Sequence, residues 1–523
     1  MKIFLISFLL AFLTVCANST QPDQKTTTDE DEGGGDVQVI YEDAVDFAQN
    51  LSLTFLPSDH EGRGDVAEIV PFTLFPTPFP KHLFEQAKQV QLAYLLLYFR
   101  ISNDFDFLIE NYEEVAKTNT NVKNYLHILK TVQAEGIKQK NVLLLGRSDY
   151  MCHKVMDDET NDGQHYELKQ IEFNTGQLGG VHVSRNLTQL HRRTMLKAGL
   201  DPTKEQMPDN PGDMAIAEAL YMAWTAFGDP EAIFLFAASK TSRNRFGQRL
   251  IEYLLEEKSK GKMKVIRISL PDCADAMKTG GLTLDPEDST LRLYGQKVAV
   301  TYIATEPPNP SRGEWAVRLL FERSTAIKSP TIGQDLANQK KIQQLLAKPG
   351  MVERFLPEPE NAANVAAIRS TFAGLWPIHD QDDKQSQQII QDAIQNPDKY
   401  VLKPNREGGG NNIWGEKVKE KLLTFTPEEQ NAHILMERLN PMVVKNYMVR
   451  PRKVIKEKKE TEKIDYAQMT TELSIIGYLF GNAHDLSVQK NVQKGHFLRT
   501  KMATENEGGV SFGTGAWDTP FLF

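Results

Sequence analysis

Apolar residues recur along the chain at two spacings, which predict different elements. Residues 84–99 (FEQAKQVQLAYLLLYF) carry an apolar stripe at the spacing of an α-helix. Short apolar runs predict strands, and they fall at 141–146, 166–174, 232–237, 264–269 and 297–303. Because these runs alternate with helical segments, we expect α/β architecture in which helices cover mostly parallel strands.

The pattern changes after residue 400, where strand-like runs lie closer together. They are YVLKP at 400–404, HILMERL at 433–439 and TELSIIGYLF at 471–480. The closer spacing predicts an antiparallel α+β portion. The length of 523 residues fits several domain-sized units.

The N-terminus differs from the rest of the chain. Residues 1–17 combine one lysine, a short apolar run and small residues near Ala17, which is the plan of a secretory signal peptide. An anchor helix is the alternative, although the run is short for a bilayer. Residues 18–37 are acidic and glycine-rich, which predicts a disordered leader before a folded body that starts near Gln38. No later segment is apolar enough for a membrane span, so we expect no membrane association after cleavage.

Charge and cysteine content exclude several functions. The net charge of -9 argues against a nucleic-acid partner, and the basic run at 450–463 contains glutamates that favour a solvated hairpin tip. After cleavage only Cys152 and Cys273 remain, which make neither a disulfide framework nor a zinc site. We expect Cys152 to be buried and His191 to lie on a surface helix. Sequons that permit glycosylation occur at Asn18, Asn50 and Asn186.

A glycine-rich stretch, VLKPNREGGGNNIWGE at 401–416, carries the first chemical signal. Glycines 408–410 expose backbone N–H groups that suit phosphate oxygens, and Lys403 and Arg406 add positive charge. Glu407 could bind a magnesium ion that bridges those phosphates. A flexible loop without a ligand remains the alternative. No Walker loop occurs in the chain.

Other segments strengthen the nucleotide hypothesis. Alternation along IEFN (171–174) puts Glu172 and Asn174 on one strand face as oxygen ligands for a hard cation. LMERL at 435–439 offers backbone edges for a nucleoside, and the glycine-rich stretch 498–515 contains Arg499 and Lys501. Together they predict an ATP-dependent ligase of the ATP-grasp type. The match of GVSFG (509–513) to a serine-hydrolase motif is rejected, because no apolar strand precedes it and no histidine follows His496.

The chain resembles eukaryotic glutathione synthetases over nearly all its length after the leader. The matching segments, in order, are PFTLFP (71–76), GRSDYM (146–151), LKQIEFNT (168–175), EWAVRLLFERS (314–324), VLKPNREGGGNN (401–412), ILME (434–437), TEL (471–473) and LRTK (498–501). The resemblance implies an ATP-grasp fold of class α/β and α+β, with an inserted parallel α/β substrate-binding domain and a glycine-rich lid. It divides the body into 38–228, the insertion 229–336, and 337–523, with the lid at about 365–440 and a glycine-rich loop at 505–516.

The resemblance also implies a reaction and its residues. The carboxylate of γ-glutamylcysteine takes the γ-phosphoryl group of ATP, and the amine of glycine attacks the acyl phosphate. Magnesium falls to Glu172, Asn174 and Glu407, and the catalytic arginines are Arg147 and Arg499. ATP falls to Glu172, Lys340, Lys403, Glu407, Gly408, Gly409, Gly410, Asn411, Asn412, Trp414, Met436, Glu437, Arg438, Leu439, Glu472, Lys501 and Glu507. The substrate falls to Arg147, Gly176, Gln177, Ser242, Arg243, Asn244, Gln248, Arg499, Val510 and Ser511. Family members pair as homodimers.

Two departures from the family pattern lie on the peptide side. The family's serine-containing loop is replaced by the shorter GQLGG (176–180), and its R-D-G-Y segment by ATEPP (304–308), which has neither guanidinium nor phenol. Three functions stay open: a ligase with an altered thiol peptide or amine, an authentic glutathione synthetase, and a nucleotide-binding protein without ligation. The signal peptide adds a resemblance to the glutathione-synthetase-like effectors that plant-parasitic nematodes secrete into host tissue, where ATP is available.

Overall fold

The computed structural model describes residues 34–57, 63–155, 165–176, 178–379, 384–405, 410–451, 465–510 and 513–523. The predicted signal peptide, the leader up to residue 33 and the tip of the basic segment at 452–463 lie outside the described residues. No helix among the described residues is long and apolar enough to cross a bilayer.

The strands, in chain order, are β1 Thr54–Phe55, β2 Glu68–Ile69, β3 Phe72–Thr73, β4 Thr77–Phe79, β5 Asn141–Lys154, β6 Tyr166–Thr175, β7 Ile233–Ala237, β8 Val265–Ile268, β9 Leu282–Leu284, β10 Leu291–Leu293, β11 Gln296–Ile303, β12 Ile327–Ser329, β13 Leu375–Pro377, β14 Tyr400–Pro404, β15 Ile413–Trp414, β16 His433–Glu437, β17 Val443–Val449, β18 Asp465–Asn482, β19 Val488–Met502, β20 Gly515–Asp518 and β21 Pro520–Leu522. The α-helices are α1 Gly34–Asn50, α2 Lys81–Asn103, α3 Phe105–Tyr112, α4 Thr120–Glu135, α5 Ser184–Lys197, α6 Gly212–Phe227, α7 Arg245–Lys258, α8 Leu270–Lys278, α9 Glu314–Arg323, α10 Ile332–Ala337, α11 Lys340–Ala347, α12 Met351–Phe355, α13 Ala362–Ser370, α14 Lys384–Gln395, α15 Glu416–Thr424 and α16 Pro427–Asn431.

A seven-stranded sheet in the order β17-β3-β20-β19-β18-β5-β6 forms the centre of the fold. Both of its faces are covered, as β5 shows. Val142 and Leu144 pack in the core that contains α2, whereas Leu143 and Leu145 pack in the core that contains α6. Burial on both faces explains why this strand begins as a continuous apolar run instead of an alternating one.

The strands of residues 229–336 are mostly parallel, as predicted. β7 pairs parallel with β8 and β11, and β11 pairs parallel with β12. β9 and β10 extend this sheet by antiparallel pairing. The expectation of parallel strands was wrong for β5 and β6, which pair antiparallel. The connection from Lys154 to Tyr166 is too short for a parallel crossover.

The antiparallel pairing predicted after residue 400 is confirmed. β14 pairs antiparallel with β16, and β18 with β19. The helix predicted at 84–99 is present within α2. The leader boundary needs correction, because α1 begins at Gly34 within the segment predicted to be disordered. Its inward residues, which include Ile40 and Ala44, are buried in the core with α5 and thereby fix the helix.

His191 was predicted on a helix surface, and this prediction was wrong. The side chain is fully buried, with Nδ1 2.6 Å from the Thr519 hydroxyl and Nε2 2.7 Å from the Thr73 carbonyl. Because a carbonyl only accepts, Nε2 carries the proton and Nδ1 accepts. Burial lowers the pKa of His191 to about 4. Cys152 is buried and free, as predicted, and Cys273 is also buried and free.

Candidate active site

The candidate site is a polar patch on one face of four neighbouring strands, β19-β18-β5-β6. Pairing register assembles it: Asp149 of β5 lies opposite Glu172 of β6 and Ser474 of β18. Arg147 lies opposite Asn174, and Glu472 of β18 lies opposite Arg499 of β19. Side chains two residues apart share a face, so these groups converge on one surface of the sheet.

Asp149 is the centre of this patch, and it was absent from the sequence-predicted set. It is fully buried, and its carboxylate accepts hydrogen bonds from Arg147 Nε at 2.8 Å and Nη2 at 2.7 Å. It also accepts from Asn174 Nδ2 at 2.9 Å, Ser474 Oγ at 2.6 Å and Arg499 Nη2 at 2.9 Å. The carboxylate therefore orients both arginines and the amide. Its position two residues after Arg147 in β5 was the signal that could have revealed it.

Glu172 links the patch to helix α11. Lys340 donates to its carboxylate at 2.6 Å, and Arg147 and Arg499 lie 3.9 Å away. Burial opposes ionisation of Glu172, but these three cations hold its pKa well below its usual range. Asn174 Nδ2 donates to Glu172 at 3.0 Å. The amide nitrogen makes these bonds, which leaves the Asn174 oxygen as the atom to coordinate a cation.

Two more lysines, Lys403 and Lys501, complete the cationic end of the candidate site. Lys403 of β14 is 5% exposed and donates to the Ile171 carbonyl at 3.4 Å. Burial, assisted by Lys340, lowers its pKa to about 8. Lys501 of β19 donates to the Asn506 carbonyl at 2.6 Å, and burial lowers its pKa to about 8. Both lysines carry charge that an anionic ligand would stabilise.

A small antiparallel sheet, β13-β16-β14-β15, supplies an apolar wall. Val401 of β14 lies opposite Trp414 of β15 and Met436 of β16, so the three side chains share a face. The Arg438 guanidinium lies 5.9 Å from the centre of the Trp414 ring. An aromatic and aliphatic wall beside a guanidinium suits a flat heteroaromatic ring.

The second glycine-rich segment contacts the first one. The Glu507 carboxylate accepts from the backbone N–H of Gly410, and from that of Asn412 at 3.0 Å. A carboxylate that occupies backbone N–H groups of a glycine-rich loop shows that these groups can receive an anion.

A cavity of about 450 Å³ brings these groups together. The sequence-predicted residues that line it are Arg147, Glu172, Asn174, Asn244, Lys340, Lys403, Asn412, Trp414, Met436, Glu437, Arg438, Leu439, Glu472, Arg499, Lys501, Glu507 and Val510. Of the other described members of the predicted set, Gly176, Ser242, Arg243, Gln248, Gly410 and Asn411 do not line this cavity. Gln177, Glu407, Gly408, Gly409 and Ser511 lie outside the described residues.

Two of the three predicted metal ligands lie side by side on β6. Glu172 and Asn174 adjoin each other, and Glu407 lies outside the described residues. In the part of the chain that the structure describes, no three carboxylate, imidazole or thiol side chains are arranged to hold a metal. Two protein oxygens are nevertheless a common donor set for Mg²⁺, because nucleotide phosphates and water complete its octahedron.

The peptide side of the cavity differs from the cationic end. In segment 304–308, Glu306 accepts from Asn121 Nδ2 at 2.8 Å and from the Tyr125 hydroxyl, both on α4. Segment 304–308 is therefore directed toward helix α4 and does not line the cavity. Gly180 lines the cavity with φ of +86°, and a Cβ there would lie 2.5 Å from Trp517. Phe55 and His182 also line this side, although no sequence motif marked them.

These features define an ATP-dependent ligase, and comparison with known proteins identifies its family. A family model described as eukaryotic glutathione synthase, ATP binding domain, matches residues 35–522. The chain is 34% identical over 498 residues to chloroplastic glutathione synthetase of Arabidopsis thaliana, covering 93% of this chain and 85% of that protein. It is 34% identical over 484 residues to glutathione synthetase of Homo sapiens, covering 91% and 95%.

A solved structure agrees with the sequence comparison. A glutathione synthetase-like effector from Globodera pallida, in its apo form, matches with a TM-score of 0.74 and 30% identity, covering 96% of this chain and 100% of that chain. The chain belongs to the eukaryotic glutathione synthetase family, whose members are ATP-dependent ligases.

Proposed function

We propose that this protein uses ATP to join the carboxylate of γ-glutamylcysteine or a related thiol peptide to an amine, glycine or another, through an acyl phosphate. The observation that carries the proposal is the convergence of Glu172, Lys340, Lys403 and Arg499 at one end of a single large cavity. Phosphoryl transfer depends on positioning and on neutralising charge, and this end of the cavity supplies both.

The nucleotide lies between the sheets in this proposal. The adenine contacts the wall of Trp414 and Met436, and the phosphates extend to Lys403 and Lys501. As in an ATP-grasp fold, the lid at about 365–440 and the loop at 505–516 cover the phosphates. Glu172, Asn174 and Glu407 would hold Mg²⁺, which would supply charge neutralisation to the phosphates. The fit rests on the position of Asn174 beside Glu172, to which its amide nitrogen donates at 3.0 Å.

The arginines act on the donor carboxylate. Arg147 and Arg499 are both oriented by Asp149. A guanidinium that is held in one position loses little freedom when it binds a carboxylate. The donor carboxylate therefore lies beside Arg499, near the phosphates, and the rest of the peptide extends toward Asn244.

An authentic glutathione synthetase is the second candidate, and full-length identity to glutathione synthetases supports it. The direction of segment 304–308 favours an altered donor or amine instead, because this segment brings no cation to the peptide side. A nucleotide-binding protein without ligation is the third candidate. Phosphate release with γ-glutamylcysteine and glycine, then with other thiol peptides and amines, separates the three.

The test needs a variant that removes the phosphate end alone. Glu172→Gln is expected to abolish phosphate release, because it removes a metal oxygen and the partner of Lys340. Glu167→Gln is a matched control, since Glu167 also lies on β6 and pairs with Lys169 at 2.9 Å outside the cavity. Equal activity of both variants, or calorimetry without nucleotide binding, contradicts the proposal.

The biological setting is part of the proposal. The signal peptide and the likeness to a nematode effector support secretion and delivery into host cells. Fusing residues 1–40 to a reporter tests secretion, and an intracellular reporter contradicts it. We also propose a homodimer, with sedimentation at the mass of one chain as the contradicting result.

A further inference from the structure

A second, much smaller compartment lies behind the peptide side of the main cavity. Its volume is about 20 Å³, against about 450 Å³ for the main cavity. Among the residues that the structure describes, only His182 and Asn244 line both spaces. A site of this size holds about one water molecule or one small group. The two side chains therefore form the end wall of the main cavity.

The His182 ring is wedged in place. A Cβ added to Gly247 of α7 would lie 2.3 Å from His182 Cγ, so the ring packs directly on the backbone of that helix. On another side the Phe55 ring lies 6.3 Å away, with 46° between the ring planes. The ring cannot move toward α7, and glycine at position 247 is what allows it to sit there. Burial lowers the pKa of His182 to about 4, so the ring is neutral near pH 7.

The polar side chains of this wall and of the small compartment behind it are uncharged. His182 Nε2, Asn244 Oδ1 and Gln248 Nε2 are buried and have no hydrogen-bond partner among the described residues. The neighbouring guanidinium of Arg267 donates to Gln248 Oε1, and to Glu252 Oε1 at 2.5 Å. Glu252 also pairs with Arg249 at 2.5 Å, and neither arginine lines the compartment. The described side chains that do line it are uncharged, so it offers neutral donors and acceptors and no cation for a carboxylate.

We propose that His182 sets the length and charge of the carboxylate donor. Its ring closes the cavity, so the far end of the donor is a short uncharged group instead of a zwitterionic γ-glutamyl group. Unpartnered amide and imidazole atoms favour such a group, because a hydrogen-bonding neutral ligand satisfies them without a buried charge. This inference rests on the proposed ligase function and selects among its donors.

Direct binding tests the inference independently of turnover. Titrations use the full chain saturated with Mg²⁺ and a non-hydrolysable ATP analogue. Both probes carry the cysteine carboxylate: N-acetylcysteine has a short uncharged far end, and γ-glutamylcysteine has a long zwitterionic one. We expect the wild type to bind N-acetylcysteine at least tenfold more tightly. His182→Ala joins the two spaces and should tighten γ-glutamylcysteine binding at least tenfold, with less than threefold change for N-acetylcysteine.

Two further variants separate bulk from other effects. His182→Phe keeps the wall but removes Nε2, so it should still prefer N-acetylcysteine, by a smaller ratio than the wild type. His127→Ala replaces an exposed histidine on α4 and should change neither affinity. An unchanged affinity ratio in His182→Ala overturns the inference, as does absence of binding of both probes to the wild type. Binding of the expected probes without phosphate release in turnover assays speaks only against the proposed ligation.

Discussion

Asp149→Asn is the substitution that tests most directly how the site is organised. The amide keeps the size of the side chain but removes the charge that Arg147 and Arg499 share. Both guanidiniums retain Glu172 at 3.9 Å, and Arg499 retains Glu472. An asparagine amide also presents an N–H group to donors that need an acceptor. The arginines should therefore rotate away from the positions that they hold now.

The structure suggests the size of the effect. Breaking one buried ion pair lowers the free energy of unfolding by about 3–5 kcal/mol. Because Glu172 and Glu472 remain near the arginines, we expect about 3 kcal/mol for Asp149→Asn. Misplacing a reacting group by about 1 Å costs roughly a hundredfold in rate. We expect kcat to fall about a hundredfold and the donor KM to rise. Nucleotide affinity should stay within about threefold, because Lys403 makes no contact with Asp149.

Two controls make the result interpretable. Ser474→Ala removes one neutral donor to the same carboxylate at 2.6 Å and should cost about 1 kcal/mol. Asp518→Asn changes another buried aspartate of the same sheet, which accepts from Thr77 and Thr500 and contacts no arginine. It should leave kcat unchanged. Steady-state kinetics measures kcat and the donor KM, nucleotide titration measures nucleotide affinity, and thermal unfolding measures stability. Unchanged kcat and donor KM in Asp149→Asn would refute the positioning role.

Three further predictions concern protonation and packing. The pKa values of Lys403 and Lys501 are both lowered to about 8 by burial, so nucleotide affinity should fall as pH rises through 8, and in titrations Lys403→Arg should reduce that dependence to the part that Lys501 contributes. Gly180→Ala should lower the thermal midpoint more than Gly136→Ala, because both have positive φ but only the first directs a Cβ at Trp517; equal shifts would contradict the packing. His191 has a folded pKa of about 4 against an ordinary 6.5, so the unfolded state takes up its proton first. His191 alone should therefore lower the free energy of unfolding by about 1.4 kcal/mol per pH unit as the pH falls from 6.5 to 4. The total slope, to which the buried His182 also contributes, should decrease by that amount in His191→Gln.

Local patterns predicted eight of the 21 strands in the described residues. β14 occupies 400–404 as predicted, and the predicted run 471–480 lies within β18. β5 was predicted from its apolar start alone, because the polar residues after Leu145 interrupt the apolar signal. That polar half belongs to the candidate site: the strand face that packs in the core at Leu143 and Leu145 carries Arg147 and Asp149 farther along. On one face of β5 the residues change from apolar to polar while the alternation continues. This change was therefore a better marker of the candidate site than of the length of the strand.

Pairing between distant segments could not be read from the chain. The direction of β6 against β5 depends on the connection between them, and the burial of His191 depends on Thr73 and Thr519, which are far away in sequence. Asp149 could have been found by alternation from Arg147, but its five donors come from four strands, of which only β5 is local to it. The sequence does not show which distant groups form hydrogen bonds with a buried polar side chain, and this was the missing information.

The two ends of the cavity differ in how they are built, and this difference explains which one can change. Most of the cationic end rests on the paired strands β5, β6, β18 and β19, where a shift of register would misplace several charged groups at once. The peptide end is assembled from the short strand β1, the residues before α5 and the first turn of α7. Residues there can be replaced or deleted without moving the sheet, since connecting segments tolerate change that paired strands do not. A chain can therefore keep the machinery for ATP and acquire a different donor through His182 and its neighbours alone.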